Sequence, residues 1–336
     1  MRSAALLSRG VDEGAFPLAR LEVFHAGRHV ISAGNASSAC VFDIASVTKV
    51  MSTTALVLDL SLRVDEPVQR WLPEAKIDAT LEDLLFHRSG LPAFVPFFSQ
   101  PGVNPRDGAI GTARAHERKA VYSDLGFIQL GAVLEAASGL TLDALFAQRI
   151  ASPLGLSAGY RRLSSCLPLP AEFAPTGTTR PREPAPGQEG MWNMACVPTG
   201  FAEVDDDNAW AMDGVSGHAG LFSTAIDVAR FGQAMLDGRW RAPWGPDVTT
   251  PGSTRTFGFD TPSPEGASCG PRFGKKGPRG AIGHLGFTGT SLWIDFDRQL
   301  VVAFLTNRVA LGRANIRIRE YRPLVHDAVL DDLGLE

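Results

Sequence analysis

The tetrapeptide Ser46-Val47-Thr48-Lys49 sets a hydroxyl and an amine three residues apart. On a helix that spacing brings both side chains to one face, within touching distance. A serine hydroxyl is a weak nucleophile and needs a base within hydrogen-bond reach. A lysine can be that base, or a proton shuttle, when burial lowers its hold on a proton. A serine in the first helical turn also has free N–H groups and the positive end of the dipole beside any charge that develops on attack. The pattern S-x-x-K is frequent by chance, so an ordinary exposed pair is the default for the motif alone.

Two further places carry matching chemistry. Tyr122-Ser123-Asp124 offers a phenol whose ionised form a neighbouring ammonium would favour, and His284-Leu285-Gly286 offers an imidazole beside a glycine. Taken singly, a tyrosine is most often a packing residue with its hydroxyl bonded, and a histidine a hydrogen-bonded structural one. Rival chemistries lack their residues. A nucleophile elbow needs G-x-S-x-G, and Gly214-Val215-Ser216-Gly217 runs into His218 instead. Zinc sites need clustered ligands, whereas the 7 histidines are scattered and the 4 cysteines form no C-x-x-C pair. Phosphate-cradling glycine loops are absent. Asp205-Asp206-Asp207-Asn208 lacks a glutamate at calcium-loop spacing and reads as a solvated loop. The expectation is therefore no metal and no cofactor.

The elements that must position these groups are legible in part. Met1 to Gly10 reads as an amphipathic helix ended by Pro17. Leu21–His25 and Arg28–Ser32 alternate around Ala26-Gly27 as a hairpin. A long helical pattern starts near Ser46 and runs through Val50, Met51, Thr54 and Leu58. Short helices are expected at Leu81–Phe86, Leu125–Ala137 and Leu142–Ile150, and a surface loop at Pro168–Gly190. Thr224 and Asp227 have capping-box spacing ahead of a helix reaching Gly238. Strands follow at Ser291–Phe296 and Leu300–Thr306, then a last helix at Tyr321–Leu333. Strands at both ends with helices between predict an α/β (α+β) fold. Its central antiparallel sheet would be built from both chain ends, flanked by helices, with a mostly helical insertion. The expected units are 1–60 with 215–336, and 61–214, with the site at their interface.

Four ordered segments carry a family resemblance. Phe42–Lys49 (FDIASVTK) resembles the first motif of class C β-lactamases and of the related esterases and D-peptidases. Leu62–Pro73 (LRVDEPVQRWLP), Thr80–Pro92 (TLEDLLFHRSGLP) and Gly217–Phe231 (GHAGLFSTAIDVARF) are similar to later passages of that family, in the same order. The resemblance implies a β-lactamase/transpeptidase-like fold and a serine hydrolase that forms an acyl-enzyme on Ser46. It makes Tyr122 the partner of Lys49, taking the Ser46 proton and passing it to the leaving group. It makes the N–H of Phe287, together with that of Ser46, the oxyanion hole. Gly286 would let substrate approach the strand edge, and His284 would stabilise charge or bind a substrate carboxylate. Asp206, Asn208 and Ala209 match a passage that borders the substrate cleft, while His87 and His218 read as loop-fixing.

One position departs from the family. Asp124 stands where an asparagine is usual, and an ionised carboxylate accepts hydrogen bonds but cannot donate one to an acyl carbonyl. Asp124 would instead pair with Lys49 and set its charge, which moves the expected substrate away from β-lactams. The expected substrate is a small ester or an amide such as a muropeptide fragment, since relatives with the Gly-His-Ala-Gly segment include muropeptide amidases. A true β-lactamase, or a catalytically silent binding module with the same fold, are the alternatives. Intact Ser46, Lys49 and Tyr122 favour the enzyme.

Composition agrees with a globular enzyme. Of 336 residues 44% are hydrophobic and 20% charged, with a net charge of −4 that argues against nucleic acid as a partner. No apolar run approaches the roughly 18 residues a membrane span needs. Asp12 and Glu13 follow the first apolar residues too closely for a secretory leader, so a cytoplasmic protein is expected. The widely spaced cysteines read as buried thiols, and oligomeric state is not readable.

Overall fold

Ala26 and Gly27 both take left-handed backbone, with φ of 49° and 74°. There the chain reverses between β1 (Ala19–His25) and β2 (Arg28–Gly34), pairing Leu21 with Ala33 and Val23 with Ile31. Left-handed residues at both central positions match the twist of the flanking strands, which is why this dipeptide closes the hairpin. This computed structural model describes residues 1–115, 117, 119–165, 171–176, 203–242, 244–263, 267–274 and 280–335.

The hairpin is one edge of a five-stranded antiparallel sheet in the order β2-β1-β8-β7-β6. Its other strands come from the far end of the chain: β6 (Ala281–Leu285), β7 (Ser291–Asp295) and β8 (Leu300–Thr306). The sheet is thus completed by both termini, as expected. Along β8, Val302 and Phe304 belong to one core while Val301, Ala303 and Leu305 belong to the other. This central strand reads as an unbroken apolar run because both of its faces are covered. One face carries the helices Arg2–Asp12 and Ile318–Asp332, through Leu7, Tyr321, Val325 and Val329. Asp332 joins the chain ends, accepting from the Ser3 hydroxyl at 2.6 Å and from the Arg2 N–H at 2.6 Å. The other face carries the helix Ala225–Leu236, through Val228, Phe231 and Met235.

A second, three-stranded sheet holds β3 (Val41–Asp43), β4 (Gly159–Tyr160) and β5 (Leu221–Thr224) in the order β3-β5-β4. The apolar helix Asp124–Ser138 follows the Tyr122 segment. The turn that starts the helix Leu81–Leu85 has a complete capping box between Thr80 and Asp83.

Several expectations need correction. The first helix ends at Asp12, where Gly14 turns left-handed at φ 70°, and Pro17 plays no part in ending it. Thr224 accepts from the Asp227 N–H at 3.3 Å, but the Asp227 carboxylate is taken by Ser157, so the box is half formed. The Ser46 segment is helical but uneven: a 3₁₀ turn over Ala45–Val47, a widened π segment over Lys49–Thr54, then an α-helix over Ala55–Asp59. Cys40 and Cys269 are free and buried. Cys166, Cys196 and most of the Pro168–Gly190 stretch lie outside the described residues. Among the described residues no single helix is long and apolar enough to cross a membrane.

Candidate active site

Asp43, the last residue of β3, sets the turn that presents Ser46. Its buried carboxylate accepts the Ala45 N–H at 2.7 Å and the Asp205 N–H at 2.6 Å, and burial pushes it up to about 7. Ala45 is left-handed at φ 47°, a conformation that costs a non-glycine residue about 1 kcal/mol or more. The strand is thereby bent sharply into the 3₁₀ turn, and Ser46 falls in its first turn.

Lys49 begins the π segment with its side chain fully buried. Its ammonium lies 2.9 Å from the Ser46 hydroxyl, 3.1 Å from the His218 carbonyl and 2.7 Å from Asp124 Oδ1. The Asp124 contact is an ion pair by distance, with an angle short of a well-aligned hydrogen bond. The Tyr122 hydroxyl lies close enough to Lys49 and Ser46 to interact with both. Burial pulls Lys49 down, but Asp124 and Tyr122 outweigh it and the net shift is upward. Burial pushes Tyr122 up against the pull of Lys49. The resting state is therefore an ammonium beside a neutral phenol.

The neighbouring loops fix these groups. His87 Nδ1 accepts the Ser123 N–H at 3.0 Å and its carbonyl takes the Val121 N–H at 3.0 Å, so it holds the Tyr122 segment from both sides. The His218 ring is bonded to Ser216 Oγ at 2.7 Å and to Asp206 Oδ1 at 2.8 Å. Both histidines thus fasten loops, as expected. Asp124, Asp206 and His218 bring ligand-type atoms within 4.8 Å of one another. The Lys49 ammonium already neutralises Asp124, and Asp206 and His218 bond to each other.

The third motif lies opposite. Thr288 and Thr290 donate to the carbonyls of Asp43 and Ile44, at 2.8 and 2.9 Å, which stitches the end of β6 to the Ser46 turn. A Cβ on Gly286 would collide with the Ile44 carbonyl and Thr290 Oγ1. The glycine is required by this close backbone approach. No acceptor among the described residues takes the Phe287 N–H. His284 donates from Nδ1 to the Leu285 carbonyl at 2.8 Å, which leaves Nε2 as an acceptor without a partner. Burial, Lys49 and Arg255 hold His284 well below the usual histidine range. In that neutral form Nε2 presents a lone pair to the cleft.

The groups meet in a cleft of about 540 Å³ lined by Ser46, Tyr122, Asp124, His284 and Phe287 together with several arginines. A larger hollow of about 640 Å³ lies elsewhere, around Arg106, Glu135 and Arg162, away from Ser46 and Lys49. Asn208 is not on the cleft wall. It is fully buried, accepting from the Phe98 N–H at 3.0 Å and donating to the Val95 carbonyl at 2.9 Å, so its amide is spent on the loop beside Phe94. The acidic run is not solvated either. Asp205 and Asp207 are buried against Arg313, and Asp206 faces the cleft.

The arginines are a further part of the site. By its charge the run Arg319–Arg322 reads as a solvated stretch, yet Arg322 is buried and donates to the carbonyls of Gly286 at 2.7 Å and Thr290 at 3.0 Å. Arg255, Arg308 and Arg319 line the same cleft. Among the described residues no carboxylate forms an ion pair with Arg308, Arg319 or Arg322. The usable signal was the three-residue spacing of Arg319 and Arg322 on one helix.

Comparison with known proteins identifies the family. Residues 4–326 match the model of the family described as Beta-lactamase. The chain is 32% identical over 314 residues to an N-acetylmuramyl-L-alanine amidase of Bacillus subtilis (strain 168), covering 80% of this chain and 68% of that one. A D-amino acid amidase from Ochrobactrum anthropi SV3 shares the fold at a TM-score of 0.68 and 20% identity, over 98% of each chain. EstCE1, a hydrolase with promiscuous acyltransferase activity, shares it at a TM-score of 0.65 and 19% identity, over 97% of each. The fold expected from strands at both termini is therefore that of these hydrolases, and the chain belongs to the beta-lactamase family.

Proposed function

We propose that this hydrolase works through an acyl-enzyme on Ser46 and cleaves a small amide or ester carrying an acidic group, with a muropeptide-like amide as the leading candidate. The observation that carries the reading is the Ser46 hydroxyl 2.9 Å from the fully buried Lys49 ammonium, on a strained turn that opens into the cleft. In this scheme Ser46 Oγ attacks the carbonyl carbon while its proton passes to the Lys49–Tyr122 pair. The N–H groups of Ser46 and Phe287 receive the negative charge on the carbonyl oxygen. Tyr122 returns a proton to the leaving group, and water then releases the acyl group by the reverse route. The division into 1–60 with 215–336 and 61–214, with the cleft between them, belongs to the same proposal.

Arg308 and Arg322, buried without a carboxylate ion pair among the described residues, and the exposed Arg319 beside them give the cleft a positive wall that supports an anionic substrate. Asp124 supports a substrate other than a β-lactam, since no side-chain amide is available there to donate to the acyl carbonyl. A substrate panel of p-nitrophenyl esters, a chromogenic cephalosporin, D-amino acid peptides and muropeptides, run on wild type and Ser46→Ala, tests the reading. The expected result is muropeptide or ester turnover that vanishes in Ser46→Ala, with weak or no cephalosporin turnover. Fast cephalosporin hydrolysis would overturn the part assigned to Asp124.

A further inference from the structure

Lys49 is ringed by oxygens. Asp124 Oδ1, Ser46 Oγ and the His218 carbonyl lie 2.7, 2.9 and 3.1 Å from its nitrogen, and the Tyr122 hydroxyl interacts with it as well. An ammonium has three N–H donors and no lone pair. In that form it cannot take the Ser46 proton. A fully buried ammonium also has no water to which it could release one. The nearest group able to receive that proton is the Asp124 carboxylate at 2.7 Å, in the position where related motifs carry an amide. Asp124 Oδ1 is buried and has no other hydrogen-bond partner, so nothing competes for the arriving proton.

We infer that Asp124 is a positioning residue that acts through Lys49 as its proton store. The inference rests on the acyl-enzyme reading given above. Before attack, one proton moves from Lys49 Nζ to Asp124 Oδ1, which turns an ion pair into a neutral amine beside a neutral carboxylic acid. The amine lone pair then accepts the Ser46 proton as the Oγ–carbon bond forms, restoring the ammonium. When the bond to the leaving group breaks, Tyr122 gives that group a proton and is refilled from Lys49. Asp124 returns the stored proton to Lys49 once the acyl group is in place. The sum is Ser46–OH plus substrate giving acyl-Ser46 plus protonated leaving group, with no outside proton used. An amide at position 124 could neither take the proton nor give it back.

Because the pair keeps one proton whichever atom holds it, the fraction of neutral amine is independent of pH until the pair as a whole gains or loses a proton. Several charged or titratable groups face the pair. Tyr122 and Asp206 lie beside it with His218 behind, His87 and His284 flank Tyr122, and Arg255, paired with Asp260, covers the Tyr122 ring. Burial holds His87 and His284 well below the usual histidine range, so neither gains charge near neutrality.

The test is the second-order rate of Ser46 labelling by a fluorophosphonate between pH 5.5 and 8.5. This reagent's fluoride leaving group needs no protonation, so the rate reports only the acceptor of the Ser46 proton. Wild type is expected to stay within about threefold across the range. Asp124→Asn is expected to climb by about tenfold per pH unit until Lys49 loses its proton, and Asp124→Glu to recover the level profile. A tenfold-per-unit climb in wild type would overturn the inference, and it needs no variant to fold. Superimposable wild-type and Asp124→Asn profiles would overturn it too. Failure of the acyl-enzyme reading gives a separate result, equal labelling of wild type and Ser46→Ala at every pH.

Discussion

Replacing Arg322 by methionine keeps most of the stem and deletes the guanidinium, and the structure sets both its rate and its stability consequences. Arg322 Nη2 holds the Gly286 carbonyl at 2.7 Å and the Thr290 carbonyl at 3.0 Å, the two ends of the turn that carries Phe287. A trans peptide is planar, so the carbonyl of Gly286 and the N–H of Phe287 point in opposite directions from one rigid unit. Fixing the carbonyl on Arg322 therefore aims that N–H away from the guanidinium. With the clamp gone, among the described residues only the Gly289 N–H at 3.0 Å still holds the Gly286 carbonyl, and the plane can rock. Loss of one oxyanion donor costs about 100- to 1,000-fold in rate. Stability should change far less. Two charge-assisted hydrogen bonds are lost, each worth about 1.5–3 kcal/mol. A buried cation goes with them, however, and burial with repulsion from Arg308 and Arg319 already pulls Arg322 down to about 9. Relief of that desolvation offsets the lost bonds, leaving a net change of about 1 kcal/mol. The assay is kcat/KM for a p-nitrophenyl ester, paired with a urea unfolding curve. A rate within about threefold of wild type, or a rate loss fully matched by loss of folded protein, would refute the argument.

Other consequences can be checked separately. Gly286→Ala should lower activity by about 100-fold or more and cost about 1–3 kcal/mol in urea unfolding, because the methyl meets the Ile44 carbonyl; a fully active, stable variant would show that the strand end can move away. Arg319→Ala should raise KM several-fold for an acidic substrate while leaving a neutral ester unchanged, and equal effects on both would remove the anion-binding role. Burial lowers His326 to about 4, and its Nδ1 donates to the Arg322 carbonyl at 2.8 Å. The unfolded chain binds that proton more readily, so the contribution is complete above about pH 6.5 and is lost as pH falls through about 4, on the order of 3 kcal/mol. His326→Asn should flatten that acid slope in urea titrations, and an unchanged slope would assign it to other groups.

The sheet was legible because its signals are local. Ala26-Gly27 announces a hairpin, and Leu300–Thr306 is an apolar run bounded by turns. Ser46, Lys49 and Tyr122 were legible because a three-residue spacing and an ordered family resemblance both point to them. What stayed hidden depends on long-range partners. Asp205 and Asp207 look like solvated acids until Arg313, more than a hundred positions away, is folded onto them. Arg322 looks like surface charge until its helix docks under the turn after β6. Asn208 falls in a cleft-bordering passage, yet its amide is used up by two backbone groups of a loop that no local pattern places. Gly286 stood out beside His284, but the atom that excludes a side chain there, the Ile44 carbonyl, belongs to the Ser46 turn itself.

Intact-protein mass spectrometry after brief incubation with a fluorophosphonate, followed by peptide mapping, addresses Ser46 directly. A single adduct on the peptide containing Ser46, absent from Ser46→Ala and slowed by about 100-fold or more in Lys49→Ala, is the predicted result. An adduct on another residue, or equal labelling of wild type and Ser46→Ala, would contradict it.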